Sequence, residues 1–283
     1  MNNQEIHIRD PFIVCENGLY HMYGTRAKDF GICTGGFDVY TSTNLENWSQ
    51  PHAVFDSEQF GMNRACNWAP EVHRYGDRYY MFATFEQPNG NRGTYALASD
   101  SLLGPFTPHS DGALTPQDWQ SLDGTLWVED GKPYLVFCHE HVRILNGTVC
   151  CVELSADLRS AVRAPALLFY GSDAYGVPAN EDGRYVTDGP FLYRGKEGAL
   201  FMIWSTCPPN GYYQSLCISE TGSVKGPWRQ MPPLYTKDGG HGMLFRDLTG
   251  DLRLTLHSPN TSMQEHPVFF RVSEENRNLC IVA

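Results

Sequence analysis

Apolar and polar residues alternate along this chain in short runs, and the alternation restarts five times behind a similar turn. The segments are ENGLYHMYGT at Glu16 to Thr25, YGDRYYMFAT at Tyr75 to Thr84, EDGKPYLVFC at Glu129 to Cys138, GKEGALFMIWS at Gly195 to Ser205 and TGDLRLTLHS at Thr249 to Ser258. Each passes from a glycine-containing turn into a strand rich in apolar residues, and period-two alternation marks strands rather than helices. The copies begin about 55 to 65 residues apart, room for a four-stranded antiparallel sheet with its loops, which is the size of a propeller blade. The pattern therefore predicts an all-β chain, a single five-bladed β-propeller of four-stranded blades over residues 1–283, with little helix. SLLGPF at Ser101 to Phe106, SVKGPW at Ser223 to Trp228 and TSTNLENW at Thr41 to Trp48 read as passages to the outer strands of blades two, four and one. The tail VFFRVSEENRNLCIVA supplies strands for the last blade, and an amino-terminal strand paired into that sheet is the expected closure, since closure removes exposed edges.

A polar motif precedes each turn: IRDPFIV from Ile8, WAPEVHR from Trp68, LDGTLWV from Leu122, TDGPFLY from Thr187 and GHGMLFR from Gly240. The innermost strand of every blade lines the central channel, so equivalent positions converge on the axis. Asp10, Asp123, Asp188 and His241 are expected in one cavity. A lone aspartate before Gly or Pro ordinarily forms a turn; three at what read as equivalent repeat positions argue for chemistry instead. Neighbouring carboxylates in a desolvated cleft raise at least one pKa, and a protonated acid facing an ionised base is the requirement of glycoside hydrolysis.

Composition narrows the partners. With 21 basic and 32 acidic residues the net charge is −11, and no Lys/Arg stripe offers a phosphate backbone a footing. The amino terminus MNNQEIHIRD lacks a signal peptide's charged and apolar regions, and no apolar run has membrane-spanning length; a cytoplasmic location, no membrane and no nucleic acid are the expectations, with oligomeric state open. Nine cysteines, an odd number without framework spacing, read as reduced thiols. The CHEH segment at Cys138 to His141 lacks zinc-site spacing. Under a cytoplasmic reading the sequons at Asn47, Asn146 and Asn260 carry no weight.

The motifs RDPFIV, WAPEV, DGTLW, DGPFLY and the late GHG, in this order over nearly the whole chain, resemble the blade signatures of glycoside hydrolase family 43, the five-bladed arabinosidases and xylosidases. The resemblance implies Asp10 as general base, Asp123 as the group that modulates the acid's pKa, and Asp188 as general acid. It implies that Trp68 borders the sugar and that His241 is the family's axial histidine, which often stands beside a calcium ion or ordered water. Glu71, on the matching inner strand, and His241 are further candidates for binding substrate, Glu71 reading alternatively as a structural or outer-pocket residue, and one axial calcium at His241 is the only cofactor expected. It also implies inversion of the anomeric centre, for which the two carboxyl groups stand roughly 6.5 to 9.5 Å apart. The family's usual motif at the acid position is EGPF, so Asp188 is one methylene short, with Glu71, Glu181 and Glu140 as fallback acids. Trp68 and His241 read alternatively as packing residues, and His139 and His141 share a strand face by period two. The expected activity is exo-hydrolysis releasing a pentose, α-L-arabinofuranose first, from oligosaccharides; the alternatives are a β-D-xylosidase, a β-galactofuranosidase, or a propeller that binds sugar without cleaving it.

Overall fold

The computed structural model describes residues 1–27 and 35–282. Its strands form five antiparallel sheets of four, each in chain order. Blade one comprises β1 (Ile8–Glu16), β2 (Leu19–Arg26), β3 (Phe37–Ser42) and β4 (His52–Phe55); blade two β5 (Trp68–Tyr75), β6 (Arg78–Glu86), β7 (Arg92–Ser99) and β8 (Thr107–Pro108). Blade three has β9 (Ser121–Glu129), β10 (Lys132–His139), β11 (Thr148–Glu153) and β12 (Ala166–Tyr170); blade four β13 (Asp188–Arg194), β14 (Leu200–Thr206), β15 (Tyr213–Ser219) and β16 (Trp228–Tyr235). Blade five holds β17 (Gly240–Arg246), β18 (Leu252–Ser258), β19 (His266–Glu275) and β20 (Asn278–Val282). The five recurring turns join the inner strand to the second strand of each blade. Three are two-residue hairpin loops, and in two of them, Asn17–Gly18 and Asp130–Gly131, both residues take positive φ, the conformation that matches strand twist and favours Asn-Gly and Asp-Gly.

The core lies between the blades. Tyr23, Phe37, Met81 and Phe85 pack blade one on blade two; Phe82, Leu135 and Phe137 join two to three; Val136, Met202 and Trp204 join three to four; and Ile203, Leu216, Leu254 and Leu256 join four to five. Both faces of each second strand are thus buried against neighbours, so these strands read as nearly unbroken apolar runs.

Closure differs from the expectation. All four strands of blade five come from the carboxy-terminal end, because β19 and β20 already fill its outer positions and leave none for an amino-terminal strand. The amino terminus belongs to blade one, where the Met1 ammonium donates to the Trp48 carbonyl at 2.7 Å. The seam between blades five and one is closed by side chains: Ile6, Ile8, Phe12, Met22 and Phe245 bury together, and Arg9 pairs with the fully buried Glu265 at 2.8 Å. Among the described residues no helix is long and apolar enough to cross a membrane.

Candidate active site

Strand register explains how the motifs reach the axis. In each blade the inner strand pairs with the second strand, skips a step and resumes. The last pairs before the skip are Arg9 with Thr25, Trp68 with Thr84, Leu122 with Cys138, Asp188 with Ser205 and Gly240 with His257. The next residue in each case, Asp10, Ala69, Asp123, Gly189 and His241, has φ of 54°, 48°, 57°, 44° and 48°. A bulged residue in this left-handed region is costly for a non-glycine side chain, about 1–3 kcal/mol, and persists where the surroundings enforce it. The register also corrects one expectation. Asp10, Asp123 and His241 hold equivalent positions, but Asp188 stands one residue earlier, in line with Arg9, Trp68, Leu122 and Gly240. The fourth axial position is Gly189, where a Cβ would come within 2.5 Å of the His241 ring; glycine there makes room for the histidine.

The bulged amides are held by side chains from the preceding blade. Ala69 N–H donates to Thr25 Oγ1 at 2.7 Å, Asp123 N–H to Thr84 Oγ1 at 2.9 Å, His241 N–H to Ser205 Oγ at 2.7 Å and Asp10 N–H to His257 Nδ1 at 3.2 Å. The following residue completes the accounting that buried amides require. Where it is glycine, its N–H goes to a third-strand side chain, Gly124 to Thr94 at 3.1 Å and Gly242 to Gln214 at 2.7 Å. Where it is Pro11, Pro70 or Pro190, there is no N–H to satisfy.

The structure brings Asp10, Asp123, Asp188 and His241 into one cavity of about 220 Å³, walled by Arg9, Trp68, Glu140 and His141. His241 Nδ1 lies 3.1 Å from Asp10 Oδ1, 3.6 Å from Asp188 Oδ1 and 3.7 Å from Asp123 Oδ2. Burial opposes a charge on this ring, but the carboxylates of Asp10, Asp123 and Asp188 outweigh it and push its pKa up to about 10. His241 is therefore the cation of the cluster at neutral pH. Burial and the neighbouring Asp188 raise Asp123 well above the usual carboxylate range, whereas Asp188, against its own burial, is drawn down by hydrogen bonds from Asp123, His241 and Tyr212. The pair shares one proton, resting on Asp123. The oxygens turned from His241 are also held: Thr25 Oγ1 donates to Asp10 Oδ2 at 2.6 Å and Tyr212 OH to Asp188 Oδ2 at 2.5 Å. Because Asp10 Oδ1 and Asp188 Oδ1 lie 3.1 and 3.6 Å from the same ring nitrogen, their separation cannot exceed the sum of the two, which puts these oxygens at or below the short end of the roughly 6.5–9.5 Å range for inverting enzymes.

Other candidates fall elsewhere. Trp68 lines the cavity with Arg92 5.2 Å from its ring centroid, and Arg92 pairs with Glu140. Glu71 does not line the cavity; two residues beyond the bulged Ala69 on the inner strand, it turns to His73 at 2.9 Å. Glu181 is exposed on the loop before β13. His139 and His141 do not share a strand face: β10 ends at His139, whose ring stacks on Trp119 at 4.1 Å, and a helical turn (His141–Ile144) begins after Glu140 and places His141 in the cavity wall. Sequence reasoning missed Arg9, Tyr212, His257 and the acceptors Thr25, Thr84 and Ser205. The acceptors close the recurring segments that announced the fold, a signal visible only once register is known.

The expected calcium meets a poor donor set. Asp123, Asp188 and His241 offer ligand atoms within 4.8 Å of one another, but calcium takes about six to eight oxygens, and this set supplies two carboxylates and a ring nitrogen. These residues do not fit a calcium ligated directly by that nitrogen.

Fold and site together define a propeller with an axial, acid–base carboxylate cluster. The chain belongs to glycosyl hydrolases family 43, whose model matches residues 5–281. It is similar to an endo-arabinase from Bacteroides thetaiotaomicron VPI-5482, with 35% identity, 98% of each chain covered and a TM-score of 0.88. It also resembles a probable arabinan endo-1,5-alpha-L-arabinosidase A of Aspergillus flavus, 23% identical over 61% of this chain and 54% of the relative, so the match spans about half of that protein's length. An extracellular exo-alpha-(1->5)-L-arabinofuranosidase of Cellvibrio japonicus is 19% identical over 86% of this chain and 72% of its own.

Proposed function

We propose that this protein hydrolyses α-L-arabinofuranosyl linkages in arabinan-derived oligosaccharides, releasing the terminal sugar with inversion. The observation that carries the reading is the pairing, in one cavity, of a fixed carboxylate with a carboxyl pair that shares a proton. Asp10, anchored by Thr25 and His241, activates the attacking water. Asp188, one residue off the axial register and nearer the opening, with a quarter of its side chain exposed, takes the pair's proton from Asp123 and passes it to the departing oxygen, and the pair regains a proton from the attacking water before the next turnover. His241 as imidazolium keeps the carboxylates together. The cavity, about 220 Å³, lies below the roughly 300–1,000 Å³ of ordinary ligand pockets, and so small a pocket supports release of single sugars. A second reading, cleavage within the chain, is favoured by the similarity to the Bacteroides endo-arabinase.

The test is hydrolysis of debranched arabinan, arabino-oligosaccharides, and aryl α-L-arabinofuranoside, β-D-xyloside and β-galactofuranoside, with products resolved by chromatography and the anomer followed by proton NMR. Arabinose as the first product supports terminal release; a ladder of oligomers moves the assignment to internal cleavage. Turnover of the xyloside or the galactofuranoside alone replaces the sugar, and failure on all five by folded protein leaves a propeller that binds sugar without cleaving it.

A further inference from the structure

The ring of amide latches is broken at one place. Opposite Leu122 stands Cys138, where the other blades have Thr25, Thr84, Ser205 and His257. A thiol is a weak acceptor, and the amide that would fall to it, Gly189 N–H, lies instead 3.3 Å from Asp123 Oδ2. Cys138 is fully buried within the packing between blades three and four, and its thiol is pushed far up by burial and then by Asp123 and Asp188, so it stays neutral and unreactive. We propose that Cys138 is a positioning residue: by lacking the strong acceptor that its counterparts supply, it leaves the Gly189 amide to Asp123 and so ties that carboxyl to the backbone unit that bears Asp188.

The tie has a chemical consequence. Asp123 is faced by Asp10 from β1, by Asp188 from β13, by His241 from β17 and by the Cys138 thiol from β10, and its Oδ1 accepts from Thr84 Oγ1 on β6 at 3.3 Å. Gly189 N–H adds a backbone donor aimed at Oδ2. A donor to a carboxylate favours its charged form, so the latch eases the proton's passage from Asp123 to Asp188, and a hydroxyl at position 138 would take that donor away.

This inference rests on the acid pair proposed above, and its test separates the two. Wild type, Cys138→Ala, Cys138→Ser and Cys138→Thr are labelled with ¹⁵N-glycine. The Gly189 amide is followed through a pH titration beside the kcat/KM profile on aryl α-L-arabinofuranoside. Wild type and Cys138→Ala should behave alike, with the amide shift following the carboxyl pair and the basic limb at the same pH. In Cys138→Ser and Cys138→Thr the amide should cease to follow the pair, and the basic limb should rise by roughly half to one pH unit as Asp123 loses a donor. The threonine variant carries the residue of blades one and two, so the hydroxyl is tested in two shapes. A packing role predicts the reverse order, with alanine, the larger loss of volume, moving the profile more than serine, and that result overturns the proposal; so do hydroxyl variants that titrate as wild type. A wild type that turns over no substrate while its Gly189 amide behaves as stated overturns the assigned reaction and leaves the latch standing.

Discussion

The two sides of the cavity are built from the same repeat to opposite ends. On the side of the seam, Asp10 is held at its amide by His257 and at its two carboxylate oxygens by Thr25 and His241. His257 is suited to that role, because burial and then Arg9 lower its pKa to about 3 and keep Nδ1 free to accept. Its Nε2 lies 3.2 Å from Asn260 Oδ1, and a neutral ring donates there. Arg9, beside Asp10 in sequence, is fixed in turn by Glu265. Between blades three and four no second-strand side chain holds the bulged amide, which turns to Asp123 instead, and Asp123 and Asp188 share a proton. One side holds a charge in place; the other lets a proton move. A backbone alike in the sign of φ at all five positions can serve both, because the difference lies in which side chain stands opposite the bulge.

The largest effects should come from breaking this contrast at its ends. Asp10→Asn removes the base and should lower kcat/KM by about 10³- to 10⁴-fold on every substrate, whatever the leaving group. Wild-type rates with this variant would remove Asp10 from the mechanism. Asp188→Asn should lose about as much on natural oligosaccharides but within about tenfold on aryl glycosides with good leaving groups, which need little proton donation. Asp188→Glu sharpens the point. If Asp188 is the acid, the longer acid should retain more activity on oligosaccharides than the amide does, even displaced by the ~1 Å that costs on the order of a hundredfold. Equal losses for Asn and Glu would assign the proton donor elsewhere.

How much of this could be read without coordinates follows from the same contrast. The fold was legible because Asn17–Gly18 and Asp130–Gly131 restart the apolar alternation at blade-sized intervals, and Asp10, Asp123 and His241 were legible because each sits beside a proline or glycine that its bulge requires. The offset of Asp188 is hidden when the aspartates are aligned with one another; the prolines carry the true register, since in RDP, WAP and DGP alike the left-handed residue directly precedes Pro11, Pro70 or Pro190, which sets Gly189, not Asp188, in line with Asp10. Glu71 was misplaced for a different reason: a bulge resets the period, so a residue two steps beyond Ala69 reaches another layer of the axis. Tyr212 lies in the loop before β15, outside any repeat, and only proximity reveals its bond to Asp188.

His241 joins the two sides, and its charge gives a stability signature of intermediate size. Its folded pKa, about 10, lies above the 6.5 of a free histidine. Its contribution is therefore fully present below about pH 6.5 and is lost as pH rises toward 10, a tenfold change in proton affinity being worth about 1.4 kcal/mol. Urea unfolding should show stability falling between pH 7 and pH 10, with the slope flattened in His241→Gln. An equal slope in the variant would place the proton elsewhere in the cluster.

The smallest effect belongs to Tyr212, and it tests whether the proton-sharing side is tuned or merely loose. Its hydroxyl donates to Asp188 Oδ2 and lowers that carboxyl's pKa. Tyr212→Phe removes one donor from a group that also accepts from Asp123 and His241, so the proton of the pair should shift part of the way from Asp123 toward Asp188. A charge-assisted hydrogen bond of this kind is worth about 1.5–3 kcal/mol when lost whole, but the shared proton redistributes to offset part of it, and a roughly three- to tenfold change in kcat is expected. On oligosaccharides, where proton donation limits the rate, the change should be seen; on activated aryl substrates it should vanish. A uniform loss on both would show that Tyr212 supports the cavity wall, against Gly240 and the His257 ring, and does not act through the acid.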